Sequence, residues 1–173
     1  LRAAVADLRE AIDLCVAHGM LVAWPYNIGF LAYALLEQGE ADEAARVIDE
    51  GGFPEQLPLD QLHLVWFRLY RGRLRIKTGS PERGVEELLQ VGETVRLVPC
   101  DTPSDVPWRS WAAEGLRLLD RHGEARALAK EELPLARRWG DPHAVGASLR
   151  MLGLVEGGEA GLGRLREAVA DAA

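Results

Sequence analysis

The residues of this chain best placed to do chemistry are basic. Arg68, Arg71, Arg73, Arg75 and Lys77 crowd into one short stretch. At helical spacing Arg73 and Lys77 share a face at i,i+4, and Arg68, Arg71 and Arg75 share another at i,i+3,i+7. Such a stripe can hold an acidic peptide or an anionic small ligand through charge-assisted hydrogen bonds. The competing reading is a solvated helix face paired with nearby Glu residues, because exposed charges commonly do no more than that. Other candidates are weaker. Cys100 sits beside Asp101 in a loop that holds Pro99, Pro103 and Pro107. A nucleophilic thiol needs a nearby cation or helix N-terminus, and Asp101 works in the opposite direction. His18, His63, His122 and His143 are scattered, with no i+4 partner and no HExxH, so neither a metal nor another cofactor is expected. The segment Gly157-Gly-Glu-Ala-Gly161-Leu-Gly163 has the glycines of a phosphate loop. Phosphate loops follow a strand, however, and here the pattern before the glycines is helical.

The elements that must position these residues repeat along the chain. Gly39-Glu-Ala-Asp-Glu-Ala44, Gly79-Ser-Pro-Glu-Arg-Gly84, His122-Gly-Glu-Ala125 and Glu156-Gly-Gly-Glu-Ala-Gly161 each open an apolar helical run. The small residues Ala44, Gly84, Ala125 and Gly161 lie 40, 41 and 36 residues apart. A recurrence of this size predicts a helical repeat array, in which each unit buries its face against its neighbours. Hydrophobic content of 48% and an excess of good helix formers agree with an ordered all-α chain.

Apolar spacing places Val5, Leu8, Ile12, Cys15 and Val16 on one face of a first helix ending at Gly19. Pro25 starts the next helix, and Ala41 to Glu50 forms its partner with Ala44, Val47 and Ile48 inward. Leu59 to Thr78 reads as the longest helix, followed by Pro81 to Leu97. The proline loop interrupts the pattern, and helices follow over 108–121, 125–139, 143–155 and 159–172, with Asp141 capping and Pro142 leading the penultimate one. The total is about nine helices in a single domain over 1–173, divided into an orphan helix at 1–19 and pairs at 21–52, 59–97, 107–139 and 142–172. Trp24, Trp66, Trp108, Trp111 and Trp139 are expected to pack between helices, with partner contact by Trp108 and Trp111 as the alternative.

The formal net charge of −7 argues against nonspecific binding to nucleic acid or to an anionic membrane. No run approaches the ~18 apolar residues of a membrane helix, and no signal peptide is visible. Two distant cysteines without a CxxC suit reduced thiols, so a cytoplasmic setting is expected. The first residues already read as helix, so the sequence is taken as part of a longer protein.

Paired helices with a glycine turn and a small residue opening the second helix resemble tetratricopeptide repeats, and Gly72 and Gly79 match that family's two glycines seven residues apart. The resemblance implies antiparallel pairs stacked in a right-handed solenoid whose first helices line a concave groove. In that register Tyr33, Arg73 and Lys77, with Arg117 and Arg121 from the third pair, would face the groove. A second resemblance covers the C-terminal third. Gly123-Glu-Ala-Arg-Ala-Leu-Ala129, Leu135-Ala-Arg-Arg-Trp-Gly140-Asp-Pro142, Ala147-Ser-Leu-Arg-Met-Leu-Gly153 and Leu165-Arg-Glu-Ala-Val169 are similar to the helical-repeat region of large actinobacterial LuxR-type, maltose-regulator-like transcriptional regulators. This implies a non-catalytic sensor or interaction region that binds a protein segment or effector. ATPase and DNA-binding domains would lie outside the segment, since it contains no GxxxxGK[ST] and no basic recognition helix. Two other classes stay open. One is a generic interaction or oligomerisation module, with homodimerisation through exposed repeat ends. The other is a small helical enzyme or ligand carrier built on Cys100 and Asp101.

Overall fold

The computed structural model describes residues 2–97 and 101–171. Among them the secondary structure is helical, with no strand. The elements are α1 (Arg2–His18), α2 (Trp24–Glu37), α3 (Ala41–Glu50), a 3-10 turn (Leu62–Leu64), α4 (Val65–Lys77), α5 (Pro81–Arg96), α6 (Trp108–Leu118), α7 (His122–Trp139), α8 (Pro142–Glu156) and α9 (Gly158–Asp171). They form two compact units, Leu1–Thr94 and Val95–Ala173. None of the described helices is long and apolar enough to cross a membrane.

In unit 1 the core gathers Ile28, Leu31 and Leu35 of α2, Ala44, Val47 and Ile48 of α3, and Phe67 and Leu74 of α4. From α1, Val5, Leu8 and Ile12 pack against this cluster, and Cys15 is buried. Val16 was expected on the same face but is exposed, because Cys15 already fills the inward position one residue earlier. The predicted helix over Leu59–Thr78 is shorter at its start. Leu59–Gln61 are not helical, and Leu62–Leu64 form only a 3-10 turn before α4.

Backbone chemistry explains the turns. Gly39 and Gly79 hold φ of +83° and +91°, the left-handed region that a Cβ disfavours. Each lies five residues before its small residue, Ala44 or Gly84. At Gly84 the small side chain is compulsory: an added Cβ would stand 2.6 Å from the Gly72 carbonyl oxygen. The absence of side chains lets the α4 and α5 backbones touch.

In unit 2, α6 ends at Leu118 and α7 begins at His122, not at 121 and 125 as the spacing predicted. Gly123 is helical, and the left-handed turn residue is Asp120 at φ +57°. Asp120 precedes Ala125 by the same five residues, so this turn follows the pattern with aspartate in place of glycine, a substitution that its short polar side chain tolerates. Gly161 again meets the Gly153 carbonyl at close range. Asp141 accepts from the His143 N–H at 3.0 Å ahead of Pro142, as expected of an N-cap. The unit's core includes Trp108, Ala112, Leu116, Ala129, Leu133, Leu149 and Met151.

Candidate functional site

A candidate recognition surface lies on unit 1, where α2 and α4 run side by side. Gly29 brings them close: a Cβ there would lie 3.0 Å from the Phe67 Cα. At that separation the aromatic residues of the two helices meet in pairs. Tyr26 meets Trp66 at 5.2 Å between ring centroids, Phe30 meets Tyr70 at 4.9 Å, and Tyr33 stacks on Tyr70 at 4.8 Å. On α2 these rings recur at i, i+4 and i+7, one stripe of the helix. Tyr26, Phe30, Tyr33 and Trp66 are half-buried, so the strip is packed on one side and open on the other. Tyrosine and tryptophan in such a position offer apolar area with a polar tip. Burial pushes the Tyr33 hydroxyl up from its ordinary value, with Glu37 adding to the shift and Arg73 opposing it.

The sequence-predicted groove residues fall on both units. Tyr33, Arg73 and Lys77 belong to unit 1, and Arg117 and Arg121 to unit 2. Arg73 is only 9% exposed, whereas Lys77 is exposed, and neither is a free cation. Arg117 is half-buried near the end of α6. Arg121 lies beyond α6, in the turn, and its Nε and Nη2 each donate to the Glu124 carboxylate at 2.7 Å.

The other three arginines of α4 are neither a groove nor a solvated face. Arg68 and Arg71 are buried. Arg68 donates through Nη2 to the carbonyls of Leu57 at 2.9 Å and Pro58 at 3.0 Å. Arg71 donates to the carbonyls of Pro54 at 3.1 Å and Glu55 at 3.0 Å, and through Nε to Glu87 at 2.7 Å. Arg75 and Arg83 grip the Glu55 carboxylate. The segment 54–58 is therefore strapped down by guanidinium groups, its carbonyls turned inward. Burial pushes the Glu87 carboxyl up, against the hydrogen bond and charge of Arg71.

In unit 2 Arg109, 41 residues after Arg68, does comparable work on its preceding loop. Its Nη1 and Nη2 donate to Asp101 at 2.7 and 2.6 Å. Its guanidinium lies 4.4 Å from the Trp108 ring centroid, and the Trp108 indole N–H donates to Asp101 at 3.3 Å. Burial pushes the Asp101 carboxyl up, but the Arg109 hydrogen bonds and charge reverse this and hold it below the usual carboxylate range. Asp101 is thus a loop anchor. Cys100, the other half of the expected thiol site, lies outside the described residues. Trp108 is buried as core, while Trp139 is 61% exposed, against the expectation of packing.

Sequence reasoning missed the buried carboxylates. Glu132 of α7 accepts from the Ser110 N–H at 2.9 Å, from the Ser110 hydroxyl, and from the Ser148 hydroxyl at 3.0 Å. One signal was available: Glu132 lies between Ala129 and Ala136, at i+3 and i−4, on the apolar stripe of its helix. Among the described residues no group of three or more His, Cys, Asp and Glu side chains is arranged to hold a metal ion. No protein-family model matches the chain, and no curated protein or solved structure matches it either.

Proposed function

We propose that this chain is a non-catalytic interaction or sensor region that binds a protein segment along the aromatic strip of α2 and α4. The observation that carries the reading is the row of paired rings from Tyr26–Trp66 to Tyr33–Tyr70, in which Tyr26, Phe30, Tyr33 and Trp66 are half-open over a buried Tyr70. A rigid two-helix face with aromatic side chains loses little conformational entropy when a ligand settles on it, and such side chains dominate binding energy in interfaces. In contrast, the strongest acid–base pairs, Arg71–Glu87 and Arg109–Asp101, are committed to holding the chain's own loops. The similarity of the C-terminal third to LuxR-type regulators supports placing the segment in a transcriptional regulator, as a solenoid-like region relaying to domains beyond it.

The test is an array of short acidic, neutral and basic peptides probed with the protein and with the Phe30→Ala/Tyr33→Ala variant. Peptides bound by the wild type should be lost or weakened at least about tenfold in the variant, since stacked aromatic contacts are worth on the order of 1 kcal/mol each. Identical binding patterns for two folded proteins would remove the strip from the reading.

A further inference from the structure

Unit 2 holds a buried carboxylate that, among the described residues, has no cation within ion-pair distance, at a weak point of its helix. Glu132 is 2% exposed. It joins three helices: its own α7, α6 through the Ser110 N–H and hydroxyl, and α8 through the Ser148 hydroxyl. Serine hydroxyls both donate and accept, so the two serines can serve a carboxylate or a carboxylic acid by rotating. The facing charges are few. From α6 the guanidinium of Arg109 acts on Glu132, but its hydrogen bonds go to Asp101 and Glu131. From α8 the partner is Ser148. Two residues beyond Glu132, Pro134 sits inside α7 and lacks the N–H that would meet the Lys130 carbonyl. The helix therefore lacks one backbone hydrogen bond beside its buried carboxyl.

We propose that unit 2 carries a proton-operated latch: with Glu132 neutral, α6, α7 and α8 close on one another, and ionisation of Glu132 loosens α7 at Pro134. The two-way serines keep the network satisfied in the neutral form, whereas the ionised form is a buried charge with no contacting counterion among the described residues, which is costly. Burial accordingly pushes the Glu132 carboxyl up, against the hydrogen bonds of Ser110 and Ser148 and the charge of Arg109. The folded state thus keeps a proton that the unfolded chain gives up. The stabilisation is present below the ordinary carboxylate range and is lost as pH rises from that range through the titration of Glu132 itself. Asp101 has the opposite sign and acts at lower pH. Glu87 shares the sign of Glu132 but lies in unit 1, so the readout must be local. The latch is independent of whether the aromatic strip binds a partner.

The experiment is amide hydrogen exchange of the whole chain, resolved to peptides and corrected for intrinsic rates, from about pH 5 to about pH 8. Protection over 130–136 should fall with rising pH in the wild type and stay high in Glu132→Gln, which mimics the neutral acid. A flat wild type, or the same fall in both proteins, overturns the latch. If Glu132→Gln does not fold, the side-chain carboxyl NMR resonance of Glu132 in the wild type decides. A midpoint above the ordinary carboxylate range is expected, and one within or below it overturns the proposal.

Discussion

Single side chains in this protein act mainly by holding backbone. Arg71 shows why a basic residue read from sequence as a surface charge became an internal strut. Its guanidinium has donors for the Pro54 and Glu55 carbonyls as well as for Glu87, and no lysine could serve all three. Removing it leaves Glu87 buried without its main partner. Arg71→Leu should therefore lower the unfolding free energy of unit 1 by about 3–5 kcal/mol, measured by urea denaturation. Arg71→Leu/Glu87→Leu should lose clearly less, because the stranded charge goes with it; additive losses would refute the pairing. The spacing of Arg68, Arg71 and Arg75 on one face was legible in the sequence. That this face looks inward was not, because the segment 54–58 that covers it approaches from outside the helix and carries no periodic signal.

At the scale of elements, turns and close contacts decide where helices end. The five-residue interval from Gly39 to Ala44 and from Gly79 to Gly84 is visible as sequence, and Gly39 and Gly79 take the left-handed backbone it implies. At the third turn the sequence offers Gly123 as the turn glycine. The chain instead turns at Asp120, the residue that keeps the interval to Ala125, and Gly123 is simply helical. An aspartate in the left-handed region costs free energy that glycine avoids. Asp120→Gly should consequently raise the unfolding free energy by about 0.5–1 kcal/mol, read from thermal or urea unfolding. A loss of stability would mean that the Asp120 side chain contributes more than its backbone costs. The helix expected over Leu59–Thr78 starts only at Val65 for a related reason. Leu59 and Leu62 have the right spacing for α4 but are exposed, and the chain before Leu64 is committed to the arginine-held strap.

For the whole molecule, the two units differ in character: unit 1 presents a half-open aromatic strip, and unit 2 has a core that closes around Glu132. The regulatory reading makes its prediction at this scale. Sequencing the reading frame on both sides of residues 1–173 should reveal a phosphate-loop ATPase upstream and a helix-turn-helix downstream. Unrelated flanking domains would leave a helical interaction module without a link to transcription.

The all-α class, the paired helices and the small residues at Ala44, Gly84, Ala125 and Gly161 were determined by the sequence alone. Apolar periodicity, glycine turns and prolines at helix starts are local, and each helix carries its own record of them. The depth of Arg68, Arg71 and Arg73, the joining of Asp101 to Arg109, and the enclosure of Glu132 by Ser110 and Ser148 were decided only by tertiary structure. Those outcomes depend on which distant segment covers a given face, and a charged residue looks the same in a sequence whether water or another helix lies against it.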